Sequence, residues 1–521
     1  MTSPANGAAK APSGLTKRAL GGMLWTFTGT GLQGLVQLLV LMALGRLLTP
    51  TDFGLMGAAG VIVALSQIVS SVGVGPAIIQ RRELETLHIR AAFTISGVLG
   101  FVLGALVWVT APALAAFYRI PAVEPVLRGI ALLFPIDGLN TVGESLLVRQ
   151  LRFRLFVAVE LLSYVLGYAC VGVVLAWRGY GVWALVAANV AQVTVRTVGM
   201  YVATRHPVRP SLNYRASRDL ISYGFGHSLA QVGALLSQQG DNLVVGRWLG
   251  AAALGVYGRA YNLMVMPASV FGRIVNRVLF PVMSQVQDER ERLSGAYERV
   301  LAVVALMSLP VSAFLWVAAP EFIPALLGPG WTGVVLPFRL FTVSLLFRMS
   351  SKVSDACTKA AGAVYSRALV QGVFAVLVLL GALVGQIWGV GGVAVAVSVA
   401  MGFNWLAMAE LSRRVTGLTW SRFAGAHVPG LVFALLVGLT AALGAQGARA
   451  AHVGPLAVLA AATVAAALAA TIALRTRPEL FLGTHGAWTL RRAEEAVRGA
   501  FGRIVSLSAG DRETLAKVNS E

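Results

Sequence analysis

Charged residues and cysteines are both scarce in this 521-residue sequence. Asp, Glu, Lys and Arg make up 12% of the chain, about half the share of an ordinary soluble protein. The two cysteines, Cys170 and Cys357, lie in apolar segments, which excludes a disulfide framework and a cysteine-based metal site. Phosphate-binding loops, paired histidines and nucleophiles beside a base are also missing from the sequence. We therefore expect a protein that is not an enzyme, has no catalytic residues and binds neither metal nor cofactor.

Long apolar runs are what the sequence has instead. Its hydrophobic share is 57% and its mean hydropathy is +0.75. Runs of about 20 residues recur from end to end, and each is long enough to cross a bilayer as a helix. Alternating ten-residue segments are absent, which excludes an outer-membrane barrel. The pattern predicts an all-α polytopic membrane protein with about fourteen transmembrane helices.

The net charge of +20 has a distribution typical of membrane topology. In a soluble protein such a charge would suggest binding to nucleic acid. Here the cations form short clusters between apolar runs, and every second loop is rich in arginine, as in residues 149–154 and 205–218. Loops of this kind face the cytoplasm. We expect no nucleic acid, and an even number of spans places both termini in the cytoplasm.

A short motif occurs twice, at a constant separation of 201 residues. The repeated residues are Gly45, Arg46, Leu48, Gly54 and Gly57 in the first copy, and Gly246, Arg247, Leu249, Gly255 and Gly258 in the second. We interpret this as two parallel six-helix repeats, related by a pseudo-twofold axis along the membrane normal, plus a C-terminal helix pair. Such an architecture suits a central cavity and alternating access.

The expected domain organisation follows from these patterns. It comprises a disordered cytoplasmic tail over 1–18, an N-terminal lobe over 19–204, a basic linker over 205–218, a C-terminal lobe over 219–412, helices 13 and 14 within 426–474 and a cytoplasmic tail over 475–521. Residues 486–506 of that tail carry apolar residues on one helical face. They form either a helix in the cytoplasmic interface or a solvated helix.

Polar residues inside predicted spans are the candidates for substrate binding, because they are costly in lipid and usually face a cavity. The candidates outside the predicted tenth helix are Gln33, Gln37, Asp241, Asn242, Arg259 and Asn262. Arg259 either lines a cavity or extends its guanidinium to the outer interface. Asp241 pairs with Arg247 or Arg259 as a structural bridge, an interpretation that we favour over a role in ion coupling.

The predicted tenth helix carries a charged stripe. Arg348, Lys352, Asp355 and Lys359 are spaced by four, three and four residues, which places them on one helical face. In one interpretation, Asp355 pairs with Lys352 or Lys359 and only fixes helix packing. In the other, which we favour for Arg348 and Lys352, the surplus of cations forms a wall for an anionic substrate.

Four segments carry a resemblance to a known family. Residues 48–54 (LTPTDFG) are similar to the L-[ST]-P-x-D-[FY]-G turn of polysaccharide flippases. Residues 241–247 (DNLVVGR), 254–264 (LGVYGRAYNLM) and 278–281 (VLFP) resemble the second-half signature of the same group. The group is the Wzx and WzxC-like oligosaccharide flippases of the multidrug/oligosaccharidyl-lipid/polysaccharide exporter superfamily. The resemblance covers about residues 19–420.

The resemblance implies a flippase of the bacterial inner membrane that moves polyprenyl-diphosphate-linked oligosaccharides by alternating access for cell-surface polysaccharide export. Its partners would be the lipid-linked oligosaccharide, membrane lipids, a polysaccharide polymerase and glycosyltransferases. Cavity cations such as Arg348 and Lys352 would hold the diphosphate, and Gln or Asn side chains would meet sugar hydroxyls. Two alternatives stay open: a cation-coupled multidrug exporter of the same superfamily, and a non-transporting scaffold of a polysaccharide synthesis complex.

Overall fold

The computed structural model describes residues 31–70, 74–81, 83–211 and 214–483, and every regular element within them is helical. The α-helices are α1 (Gly31–Leu47), α2 (Pro50–Ser70), α3 (Val74–Gln80), α4 (Thr86–Tyr118), α5 (Val123–Ala131), α6 (Leu133–Arg149), α7 (Phe153–Tyr164), α8 (Val173–Trp177), α9 (Val182–Thr204), α10 (Tyr214–Ile274), α11 (Phe280–Gln285), α12 (Arg290–Leu327), α13 (Val335–Ala360), α14 (Val364–Gly385), α15 (Gly389–Thr416), α16 (Trp420–Ala450) and α17 (Pro455–Thr476). A π-helix, Val165–Gly172, joins α7 to α8, and another, Val275–Leu279, joins α10 to α11. The prediction of an all-α polytopic protein is confirmed.

The exact number of spans is not confirmed. Within the described ranges, nine helical segments are long and apolar enough to cross a membrane. One segment, residues 365–416, combines two predicted helices. In addition, α10 consists of two helical stretches that meet at a bend, and that bend lies at the boundary between predicted helices 7 (219–248) and 8 (252–283). The tail over 1–18 and the possible interfacial helix over 486–506 lie outside the described residues.

The bend inside α10 lies at Gly250. Its φ of 86° and ψ of −178° belong to a region that only glycine enters readily. The position 201 residues earlier is Thr49, in the bend between α1 and α2. There the backbone N–H and hydroxyl of Thr49 donate to the carboxylate of Asp52 at 2.9 and 2.7 Å, and Pro50 starts the next helix. Both copies of the motif therefore contain a bend. In the first copy side-chain hydrogen bonds and a proline form it, and in the second copy a glycine with positive φ forms it.

Beyond each bend, α2 and α10 meet at two glycines. A Cβ added to Gly54 would lie 1.7 Å from the carbonyl oxygen of Ala251, and one added to Gly255 would lie 1.8 Å from that of Pro50. Both partners in the first contact lie 201 residues from their counterparts in the second. The helix backbones touch here, as small residues allow at helix crossings within membranes. The contact is thus symmetric between the two copies of the motif.

The glycine that opens each copy accommodates the end of another helix. A Cβ on Gly45 would lie 3.1 Å from the Leu327 side chain at the end of α12. A Cβ on Gly246 would lie 2.8 Å from the Tyr118 ring at the end of α4. A larger residue at either position would push against these side chains, so Gly45 and Gly246 have a packing role.

The chain divides into two compact units. One comprises Met1–Tyr261, Ile323–Pro337 and Gln371–Val397, and the other comprises Asn262–Phe322, Phe338–Val370 and Ser398–Glu521. The predicted lobes over 19–204 and 219–412 stay a prediction, and the symmetric glycine contact lies entirely in the first unit.

In the first unit, α4 packs tightly on α6. A Cβ on Gly100 would lie 2.4 Å from the Phe134 carbonyl oxygen, and one on Gly138 would lie 2.4 Å from that of Ser96. Because these glycines have no side chain, the two backbones approach closely and gain dispersion contacts.

In the second unit, the core forms where α13 packs on α12. Val353 and Cys357 are fully buried beside Leu293 and Tyr297. The C-terminal pair α16 and α17 is joined by small apolar residues, including Ala441, Ala445, Val458 and Ala462.

Candidate functional site

Arg259 and Phe53 are the centre of the candidate site in the first unit. The guanidinium carbon of Arg259 lies 4.2 Å from the centroid of the Phe53 ring. Phe53 also packs edge-to-face against Trp331, with ring centroids 5.3 Å apart, and the Trp331 indole donates to the Gly45 carbonyl at 2.6 Å. The turn over residues 48–54 therefore positions an aromatic face under a cation. Such a contact stabilises the charge by about 0.5–2 kcal/mol.

Two tyrosines complete the surroundings of Arg259. The rings of Tyr164 and Tyr168 are stacked with centroids 5.1 Å apart, and both phenols interact electrostatically with the half-buried Arg259. Within the described ranges, no carboxylate lies within 4.0 Å of the Arg259 guanidinium. Aromatic groups, rather than an acid, thus surround this cation.

Asp241 and Asn242 form hydrogen bonds inside the first unit. Asp241 is 1% exposed and accepts a 2.6 Å hydrogen bond from the Tyr257 hydroxyl. The Asn242 amide donates to the Gln239 side chain at 2.8 Å. Arg247, one of the two expected partners of Asp241, lies over the Phe117 ring at 5.7 Å. Among the described residues, neither Arg247 nor Arg259 forms an ion pair with Asp241, so the predicted pairing is wrong. The structural role favoured for Asp241 stays a prediction, with Tyr257 as its hydrogen-bond partner.

The remaining polar candidates differ in exposure. Gln33 and Gln37 are half-buried on α1, whereas Asn262 is exposed on α10 and belongs to the second unit. Their roles in binding stay predictions.

In the second unit, Asp355 joins α13 to α14. It forms an ion pair of 2.6 Å with the Lys359 ammonium and another with the Arg367 guanidinium. The sequence suggested Lys352 or Lys359 as partners, and the structure shows Lys359 together with Arg367. Two cations therefore take up the only carboxylate of the stripe.

Hydrogen bonds on the opposite face of α13 fix its orientation. The Trp405 indole donates to the Ser350 hydroxyl at 3.0 Å, and the Tyr297 and Ser354 hydroxyls lie 2.8 Å apart. These contacts direct Arg348 and Lys352 to a different face. Arg348 is half-buried, and the aliphatic stem of Lys352 passes Gly272, where an added Cβ would lie 3.7 Å from Cδ.

A charged cluster in the first unit was missed in the sequence. Arg196 on α9 pairs with Asp137 on α6 and, at 3.5 Å, with Glu160 on α7. The Asn140 amide donates to Glu144 at 3.1 Å. The signal was present, because each charged residue falls within a predicted span, and such residues are candidates for function by default. The cluster ties three helices together.

The fold resembles that of the lipid II flippase MurJ in an inward closed conformation, with a TM-score of 0.68 over 87% of this chain and 99% of MurJ. The two sequences are 11% identical, so this likeness concerns the fold alone. By its fold and its long apolar helices the protein is a multi-pass membrane protein.

The sequence then identifies the family. Residues 43–336, more than half of the chain, match the family described as "Polysaccharide biosynthesis protein", and the chain belongs to that family. The predicted resemblance is confirmed. Phe53 and Arg259 lie inside the matched region, whereas Arg348 and Lys352 lie beyond its end.

Two relatives match most of their own length. The lipopolysaccharide biosynthesis protein WzxC of Escherichia coli (strain K12) is 27% identical over 340 residues, which cover 64% of this chain and 68% of WzxC. The teichuronic acid biosynthesis protein TuaB of Bacillus subtilis (strain 168) is 24% identical over 340 residues, which cover 64% of this chain and 70% of TuaB.

Proposed function

We propose that this protein is a flippase that moves polyprenyl-diphosphate-linked oligosaccharides across the bacterial inner membrane by alternating access, for export of a cell-surface polysaccharide. The match of residues 43–336 to the polysaccharide biosynthesis family carries the proposal. Its relatives serve lipopolysaccharide and teichuronic acid biosynthesis by name, and the fold resembles that of the lipid II flippase MurJ.

The substrate of such a protein carries a diphosphate, and the second unit offers cations for it. Asp355 is already paired with Lys359 and Arg367, so neither of its ion pairs engages Lys352. Arg348 presents a planar fork of donors that suits a phosphate, and Lys352 adds a compact charge one turn away. We assign the diphosphate to Arg348 and Lys352.

The first unit contributes a different kind of contact. Arg259 is held on the Phe53 ring, which leaves the edge of its guanidinium available to donate hydrogen bonds. A sugar hydroxyl is a suitable acceptor. In the same proposal, Gln33 and Gln37 of this unit supply amides for sugar hydroxyls, and Asn262 of the second unit supplies another.

Topology and architecture complete the proposal. Both termini face the cytoplasm, as the alternation of arginine-rich loops indicates. Two parallel six-helix repeats form the transporter, and the symmetric contact of Gly54 and Gly255 supports that duplication. Glycosyltransferases assemble the lipid-linked oligosaccharide before translocation, and a polymerase uses it afterwards.

Complementation of a flippase-null strain tests the proposal. We expect the wild type to restore export when its own glycosyltransferases and polymerase are supplied. Arg348→Ala and Lys352→Ala should reduce export at equal protein levels, whereas Arg414→Ala, an exposed arginine paired with Glu410, should not. Failure of the wild type would contradict the flippase assignment. Full export by both cavity variants would contradict the cationic wall, and drug resistance without export would favour the multidrug alternative.

A scaffold can be distinguished by the same variants. If the protein only organised a synthesis complex, loss of export would follow loss of partner binding. We expect Arg348→Ala to retain the association of glycosyltransferases with the membrane, measured by co-purification, while lipid-linked oligosaccharide accumulates in the inner leaflet.

A further inference from the structure

A groove opens between α7 and α9 of the first unit. Its volume is about 620 Å³. It is lined by residues of both helices and of their ends, among them Arg152, Leu155, Val159, Gly199, Val202 and Arg205. Sites of about 300–1,000 Å³ accommodate small ligands. Neither the stripe on α13 nor the surroundings of Arg259 involve these residues.

The wall of the groove is apolar. Leu155 and Val159 lie one turn apart on α7, and Val202, which is 59% exposed, faces them from α9. At Gly199 the helices approach closely, because an added Cβ there would lie 2.7 Å from Cγ1 of Val159. Both helices lie in segments that can span the membrane, so this wall suits an acyl chain.

The rim of the groove is cationic. Arg152 precedes α7 and donates from Nη1 to the Ala203 carbonyl at 3.0 Å, which ties the ends of the two helices together. Arg205 ends α9 with a left-handed φ of 46°, and its side chain is exposed. In the part of the chain that the structure describes, neither guanidinium has a carboxylate within 4.0 Å. Two uncompensated guanidinium groups beside an apolar wall match the phosphate and acyl chain of an anionic lipid.

We propose that this groove binds one anionic phospholipid of the cytoplasmic leaflet. Its phosphodiester lies between Arg152 and Arg205, and an acyl chain packs on Leu155, Val159 and Val202. The leaflet follows from the two arginine-rich loops that flank the groove, since such loops face the cytoplasm. A free phosphate would leave the apolar wall uncovered. The site requires no transport, so it stands whether or not the protein is a flippase.

Native mass spectrometry of the delipidated, full-length protein tests the site. Phosphatidylglycerol and phosphatidylcholine of identical acyl chains are titrated separately, and lipid retention is measured. One arginine near a headgroup changes affinity for an anionic lipid by about fivefold. We expect wild type to prefer phosphatidylglycerol, Arg205→Gln to lose about fivefold, and Arg152→Gln with Arg205→Gln to lose about thirtyfold. Val202→Trp should reduce retention by filling the groove without a change of charge.

The control is Arg178→Gln, which removes an exposed arginine from a loop predicted on the other membrane side. It should retain the lipid as wild type does. All variants are first shown to elute as monodisperse protein. Arg152→Gln also removes the hydrogen bond between Arg152 and the Ala203 carbonyl, and Val202→Trp tests the groove without that change. Equal binding of both lipids, an equal loss in Arg178→Gln, or displacement of phosphatidylglycerol by millimolar inorganic phosphate would overturn the proposal.

Discussion

Replacement of Gly255 by alanine should force α2 and α10 apart. The added Cβ would lie 1.8 Å from the Pro50 carbonyl oxygen, whereas a carbon and a carbonyl oxygen normally stay about 3.3 Å apart, so one backbone must move by about 1.5 Å. Overpacking of this kind costs about 1–3 kcal/mol, and backbone atoms cannot rotate away as a side chain does. We expect Gly255→Ala, and equally Gly54→Ala, to lose at least about 2 kcal/mol.

Gly258→Ala is the matched control, because nothing lies within 4 Å of a Cβ at that position of the same helix. Alanine is preferred over glycine in helices by about 1 kcal/mol, so this variant should be unchanged or slightly more stable. The measurement is thermal unfolding of purified protein in nanodiscs, with monodispersity as the second readout. Equal stability of Gly255→Ala and Gly258→Ala would refute the backbone contact.

Three further predictions concern side chains. Asp355→Asn should lower the unfolding temperature, since it removes the ion pair with Lys359 within α13 and the ion pair with Arg367 on α14, at a cost of about 1–3 kcal/mol. Arg367→Gln, which removes only the pair between the helices, should cost less. Arg259→Gln and Phe53→Leu should each reduce export, because each removes the same cation–π contact. The loss of export in the double variant should therefore be smaller than the sum of the two single losses, and additive losses would contradict the pairing. Burial lowers the pKa of His206 in the linker after α9, so the unfolded chain binds its proton more readily. The contribution of this group to stability is therefore fully present above about pH 6.5 and declines at lower pH. His206→Gln should make the unfolding temperature depend less on pH below about 6.5.

The sequence predicted the helices well because membrane spans are defined by length and hydropathy, both of which are local. The apolar runs over residues 89–118 and 181–204 each predict one helix, and the observed helices α4 (Thr86–Tyr118) and α9 (Val182–Thr204) lie within a few residues of those bounds. The bend at Gly250 was also anticipated as a helix boundary. The exact number of spans is not confirmed, because some predicted helices meet at bends inside longer helical segments, as they do at Gly250.

The candidate site was predicted less completely than the fold. The stripe on α13 was visible because its spacing is helical. The partner of Asp355 on α14 was not, because Arg367 is near Asp355 only after the helices pack. The aromatic support of Arg259 was missed for the same reason, since Phe53 and Arg259 are far apart in sequence. Contacts between distant segments depend on tertiary packing, which hydropathy does not encode.

The central claim is that this protein moves a lipid-linked oligosaccharide between leaflets, and reconstitution tests it most directly. Purified protein is placed in vesicles that contain a fluorescently labelled polyprenyl-diphosphate oligosaccharide, and the label accessible to a membrane-impermeant quencher is followed over time. We predict that protein-containing vesicles expose the inner-leaflet substrate faster than empty vesicles, and that the rate falls when Arg348 and Lys352 are both replaced by alanine. A rate equal to that of empty vesicles, with correctly folded protein and its native substrate, would contradict the account.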